Sequence, residues 1–148
     1  MTIDHTCDDW SADDAAGYLV RRLVSLKAAD PKARVCLLSA GEVTVRVPAG
    51  ATGRGGRNQH FALLCSHKIA GLKSVILSAG SDGVDGNSPA AGAVVDGTTL
   101  ARATALGYAV EKALAEFDSY GLLSQLGDAL VIGPTGNNLR DLRVLLAP

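Results

Sequence analysis

Residues 73–86 read KSVILSAGSDGVDG, and the way this stretch changes character halfway decides the fold. Lys73 to Ala79 is a short apolar run of the kind that forms a buried strand. It runs without a break into Gly80 to Gly86, a loop with three glycines and two carboxylates, Asp82 and Asp85. Glycines let a chain turn and approach a ligand closely, and a loop at the end of a buried strand is where layered α/β domains place their ligands.

The neighbouring segments extend this pattern in both directions. Upstream, Ser11 is placed to cap a helix with Asp13 and Asp14 in its first turn, followed by Tyr18, Leu19, Leu23 and Leu26 at helical spacing and stopped by Asp30-Pro31. Arg34 to Ser39 reads as a buried strand. Glu42 to Val47 alternates valine with polar residues, so the two predict a hairpin or two adjacent strands joined through Ala40-Gly41. Pro48 to Gly53 is a loop, and Arg57 to Ala70 is helical up to Gly71. Downstream, Thr98 or Thr99 caps a helix through Leu106, Val110 to Phe117 and Gly121 to Leu126 are short helices, and Leu130 to Ile132 looks like a strand. A third loop, Gly133 to Asn138, precedes the apolar segment Leu142 to Leu146. Strands alternating with helices predict a three-layer α/β/α domain with a parallel or mixed sheet. It would span residues 1–148 as a single domain, with the N-terminal helix at about 11–29 and the core from about 35 onward.

Composition agrees with one domain. At 148 residues with 47% hydrophobic and 20% charged, the chain is long enough to bury one sizeable core. A formal net charge of −1 supplies no basic field for nucleic acid or a membrane surface, so an anion site must be local and its ligand small. Three widely spaced cysteines without a CxxC pair, and an N-terminus lacking the basic and apolar regions of a leader, predict a reducing, cytoplasmic setting. No apolar run approaches the roughly 20 residues of a membrane-spanning helix.

Three loops carry candidate chemistry. Gly53 to Gln59, GRGGRNQ, combines glycines with Arg54 and Arg57 just before a helix. The bare N–H groups of Gly55 and Gly56, a helix N-terminus and a guanidinium fork together would make an anion cradle, the alternative being a flexible turn with solvated arginines. It fits neither a dinucleotide fingerprint, because Asn58 stands where GxGxxG needs glycine, nor a P-loop. Asp82 and Asp85 are close enough to share a magnesium ion or to divide metal binding and general-base work, although Asp-Gly pairs are also ordinary turn formers. Thr135, Asn137 and Asn138 offer hydroxyl and amide groups beside Pro134. His60 and His67 share a helix face and read as structural.

Taken in order, these loops resemble the MOFRL domain, the C-terminal domain of class II glycerate 2-kinases, whose members are often labelled hydroxypyruvate reductases. The resemblance rests on Ser39-Ala-Gly-Glu42, Gly53 to Gln59, Ser78 to Gly86 continuing to Ala90-Ala-Gly-Ala93, Asp118-Ser-Tyr120 and Gly133 to Asp141. It covers about Val35 to the C-terminus. It implies ATP-dependent phosphorylation of D-glycerate at its 2-hydroxyl, with magnesium, in a cleft shared with a larger N-terminal α/β domain that carries a catalytic lysine. In that setting Arg57 is the anion clamp, Asp82 and Asp85 are the magnesium or base pair, and Arg54, Gly55, Gly56, Asn58, Thr135 and Asn137 orient substrate or phosphate. Ala40 stands where the family usually has glycine, and Asn87-Ser-Pro89 where it often has Pro-Thr-Asp.

Three functions follow as alternatives. The chain is half of a glycerate kinase that needs an N-terminal partner domain, or a stand-alone small-anion-binding or regulatory module without catalysis. The hydroxypyruvate reductase label ranks last, since it needs a nicotinamide site and the sequence has no GxGxxG. A face shaped against another domain also makes a homodimer an expectation.

Overall fold

The computed structural model describes residues 1–148. In chain order the elements are β1 (Thr2–Ile3), α1 (Ala12–Ala29), β2 (Val35–Ala40), α2 (Arg57–Lys68), β3 (Val75–Gly80), β4 (Gly92–Asp96), α3 (Thr99–Ala105), α4 (Val110–Ala115), α5 (Ser119–Leu126), β5 (Ala129–Leu130) and β6 (Asp141–Ala147). The first helix begins where its sequence says it should: Ser11 Oγ accepts the Asp14 N–H at 3.1 Å, and Ala12, Ala15, Ala16, Leu19 and Leu23 form its buried stripe.

The C-terminal strand is the centre of the sheet. The strand order is β1-β2-β6-β3-β4-β5, and only β1 and β2 run parallel. Residues Asp141, Arg143, Leu145 and Ala147 of β6 are buried while Leu142 and Leu146 face outward, the two-residue period of a strand with one covered face. The register places Leu37, Leu145, Ile76 and Val95 in one buried apolar row across four strands. Two residues along, the buried row is Ser39, Arg143, Ser78 and Ala93. The sheet is thus apolar at one end and polar at the other, and the polar end carries the glycine loops.

The α/β class and the mixed sheet agree with the sequence reading, whereas the layering does not. Burial falls on one sheet face, where α1 and α2 pack side by side and α3, α4 and α5 gather around α2. On the other face Val75, Leu142 and Leu146 are exposed, so this chain builds two layers rather than three. Antiparallel strands allow this, because they need no crossover helix to cover the second face.

Two expected strands also change. Glu42 to Val47 does not pair with β2, both of whose edges are taken by β1 and β6. Gly41, at φ +109° and packed against Asp8, turns the chain away, and Thr44 bridges to Ser11 at the start of α1 instead. The valine alternation therefore reports a half-buried extended segment, with Val43 inside. The strand expected at Leu130 to Ile132 shrinks to Ala129–Leu130, and Val131 and Ile132 are exposed.

Cys7 and Cys65 lie in the core and Cys36 is half-buried. Burial pushes the Cys7 thiol up to about 11 and the Cys65 thiol higher still. Labelling of the native chain with an alkylating reagent at pH 8 is therefore expected to modify Cys36 alone, with Cys7 and Cys65 reacting only in denaturant. Rapid modification of either in the native state would contradict this packing.

Candidate active site

The polar end of the sheet opens into a cleft of about 670 Å³, walled by the loops after β2 and β3, the N-terminus of α2 and the segment leading into β6. Its architecture depends on Asp85. This carboxylate is 4% exposed and accepts four N–H bonds: Oδ1 from the Asn58 backbone at 3.1 Å and the Asn58 amide at 3.3 Å, Oδ2 from the Gln59 backbone at 2.9 Å and the Gln59 amide at 3.0 Å. Burial pushes the Asp85 carboxyl above its ordinary value, against the pull of these N–H donors. Asp85 thus caps α2 from a loop far away in sequence, and Asn58 is fixed in turn by the Ser78 hydroxyl, which donates to Asn58 Oδ1 at 2.7 Å.

This geometry narrows the expected anion cradle. The helix N-terminus that was to supply partial positive charge already faces a carboxylate from within the chain. Two more of the loop's N–H groups are taken: Arg54 N–H donates to Asp118 Oδ1 at 3.0 Å and Gly55 N–H to Asn87 Oδ1 at 2.8 Å, whereas Gly56 N–H makes no such bond. Gly56 lies flush on Asp85, where a Cβ would strike the carboxylate, so its missing side chain serves contact between loops rather than approach to a ligand. Asp85 is likewise reassigned, since a carboxylate with both oxygens doubly engaged is a cap rather than a metal ligand or base.

What the cleft does hold is Arg57. Its Nε–H donates to Asp141 Oδ2 at 2.7 Å and its Nη2–H to Asp141 Oδ1 at 3.2 Å, while Nη1–H donates to Glu42 Oε2 at 2.9 Å. These carboxylates, Asp141 first, raise the Arg57 guanidinium above its usual value and hold it in one orientation. Behind Asp141 lies Arg143, fully buried, with Nη2 at 3.6 Å from Asp141 Oδ2. Arg143 donates Nη1–H to the Gly41 carbonyl at 3.1 Å and stacks over Phe61, while its Nε and Nη2 lack hydrogen-bond partners. Burial pushes its guanidinium down and Asp141 opposes that shift.

The other sequence candidates divide. Asp82 lines the cleft with Arg57, Gly55, Gly56, Asn58 and Asp85. It is exposed, its only hydrogen bond through the carboxylate being the one Oδ1 accepts from Val84 N–H at 3.2 Å, which leaves it the uncommitted carboxylate of the wall. Arg54 turns outward over the Tyr120 ring at 4.7 Å, and Thr135 and Asn137 stand outside the cleft lining. Thr135 instead ties two loops together, donating its N–H to the Asp82 carbonyl at 3.0 Å and its hydroxyl to the Ser81 carbonyl at 2.6 Å. No three acidic, histidine or cysteine side chains converge as a metal cluster. Magnesium needs only one or two carboxylates when phosphate oxygens and water complete its shell, so Asp82 fits that ion as a single ligand. Glu42, Asp141 and Arg140 were not given roles from sequence; Glu42 and Asp141 lie at the edges of recognisable motifs, yet only the folded chain shows that they meet Arg57.

The matched family model is described as the MOFRL family and covers residues 35–141. Glycerate 2-kinase of Pyrococcus horikoshii is 41% identical over 112 residues, 76% of this chain and 25% of that protein. D-glycerate 2-kinase of Thermotoga maritima is 39% identical over 137 residues, 90% of this chain and 32% of that protein. The crystal structure of glycerate kinase from Thermotoga maritima superposes with a TM-score of 0.91 at 35% identity, over 99% of this chain and 36% of that one. The chain therefore spans about a quarter to a third of the length of these curated relatives.

Proposed function

Because the chain belongs to the MOFRL family, we propose that it supplies one wall of a glycerate 2-kinase site and works with a further, larger domain. The observation that carries this reading is Arg57, held by Asp141 and Glu42 at the wall of the cleft. A guanidinium locked in this way is pre-oriented, and a phosphoryl or carboxylate oxygen meeting its free edge costs no reorganisation.

The reaction proposed is transfer of a phosphoryl group to the 2-hydroxyl of D-glycerate, with magnesium-bound ATP supplying the group and its charge neutralisation when present. The roles of this chain's own residues follow from the cleft. Arg57 holds a substrate oxyanion, Asp82 offers a carboxylate to magnesium or accepts the hydroxyl proton, and the Asp85 to Asn58 junction keeps the wall rigid. Since catalysis of this kind is mostly positioning, a single wall is expected to bind weakly and turn over poorly. The apolar residues Val75, Leu142 and Leu146 on the open sheet face support contact with a further domain or a second copy.

Calorimetric titration of the chain with D-glycerate, inorganic phosphate and Mg-ATP tests the reading. Arg57→Ala is expected to weaken binding of the anionic ligands about tenfold, equivalent to about 1.4 kcal/mol. Arg57→Lys should not restore it, since a point charge cannot reproduce the fork. Unchanged affinity in Arg57→Ala would remove the foundation of this proposal.

A further inference from the structure

Arg57 is not the sole arginine of the cleft. Arg140, one residue before Asp141, also lines it, and its side chain is engaged quite differently. Its guanidinium makes a two-pronged contact with Asp8, Nη1–H to Oδ2 and Nη2–H to Oδ1, both at 2.9 Å, and both side chains are solvent-exposed, at 49% and 38%. Asp8 is itself held in place, because its Oδ1 also accepts the Glu42 N–H at 2.9 Å. The Arg140 backbone is fixed independently of its side chain, in a left-handed conformation at φ +70°. Its N–H donates to Asn138 Oδ1 at 3.3 Å and its carbonyl accepts the Ser81 N–H at 3.1 Å.

We infer that Arg140 is the ligand-capturing arginine of this cleft, exchanging the Asp8 carboxylate for an oxyanion of the incoming substrate. The two arginines differ in what release would leave behind. Arg57 cannot give up Asp141 without removing every hydrogen bond that its side chain makes to a carboxylate 3% exposed, leaving only the Arg143 guanidinium at 3.6 Å to offset that charge. Arg140 can give up Asp8 freely, because both partners are solvated and an exposed ion pair is screened by water. The planar fork that fits Asp8 fits a carboxylate or phosphate oxygen pair as well, so Asp8 engages the donors that a ligand in the cleft would need. The inference rests on the glycerate kinase reading for the chemical class of the ligand, a small carboxylate or phosphate.

Affinity of the wild-type chain and five variants, Arg57→Ala among them, for inorganic phosphate and for D-glycerate, each titrated alone, provides the test. Arg140→Ala should weaken binding. Asp8→Asn should strengthen it, by about fivefold if the pair holds Arg140 for four-fifths of the time. Asparagine keeps an oxygen for the Glu42 N–H, so the loop is retained. The gain must vanish in Asp8→Asn/Arg140→Ala, which shows that it acts through Arg140. It must also exceed that of Asp9→Asn, which removes the neighbouring charge without releasing the guanidinium. A response to phosphate alone or to glycerate alone identifies which oxyanion Arg140 takes. Equal gains in Asp8→Asn and Asp9→Asn, or no loss in Arg140→Ala while Arg57→Ala still weakens binding, would overturn the inference and leave the kinase reading standing. No binding by any variant would overturn both.

Discussion

Asp141→Ala is expected to lower the stability of the domain by about 3 kcal/mol, seen as a fall of about 1.5 M in the urea midpoint for a slope near 2 kcal/mol/M. The substitution leaves two guanidinium groups behind. Arg143, with no exposure at all, keeps only the Gly41 carbonyl as a hydrogen-bond partner and loses the one carboxylate near it. Arg57 loses both contacts to Asp141 but retains Glu42 and some water, so its share of the cost is discounted for solvent. The cost is that of stranded charge and not of a lost contact, which gives a second expectation. Adding Arg143→Met to the Asp141→Ala background should recover part of the stability rather than subtract more, because it removes the uncompensated ion. Additive losses in the double variant would show that Arg143 and Asp141 act separately.

Asp85→Ala is expected to cost about 2–4 kcal/mol, the sum of a lost helix cap and several buried N–H groups without acceptors. Asn58 and Gln59, whose backbone and amide groups it satisfies, are 1% and 0% exposed, so water cannot step in. Asp82→Ala, three residues earlier in the same loop, should change stability by less than about 0.5 kcal/mol, as exposed positions do. The contrast is measurable by thermal or urea denaturation of the two variants side by side. Equal effects would mean that Asp85 is not the cap the geometry makes it. Asp82→Ala should instead reveal itself in magnesium-dependent binding of Mg-ATP, where Asp85→Ala acts only through loss of the fold.

The legibility of this chain varied with the range of the interaction involved. The capped first helix was readable because Ser11, Asp14 and the apolar spacing that follows act within a few residues of one another. The buried strand at Val75–Gly80 was readable for the same reason, and so was its run into a glycine loop. Glu42 to Val47 misled because alternation reports only which side chains turn inward, and any extended segment packed on a helix alternates. The glycines of GRGGRNQ are ambiguous in a related way. Glycine signals close approach, and sequence does not say whether a ligand or another loop approaches.

The sequence by itself determined the α/β class, the helices, the strands at Val35–Ala40 and Val75–Gly80, the three glycine-rich loops, and the family motifs that run through them. Local propensity and hydrophobic period are properties of neighbouring residues, and these features need nothing more. Only the tertiary structure decided that the C-terminal strand is central, that helices cover one face of the sheet, and that Asp85 caps α2 across 26 to 27 residues. It also decided that Arg57 is clamped by Asp141 from 84 residues away, and that Arg140 is paired with Asp8 from 132. Such pairings depend on the three-dimensional path of the backbone, because charge acts through space, whereas sequence spacing records only distance along the chain.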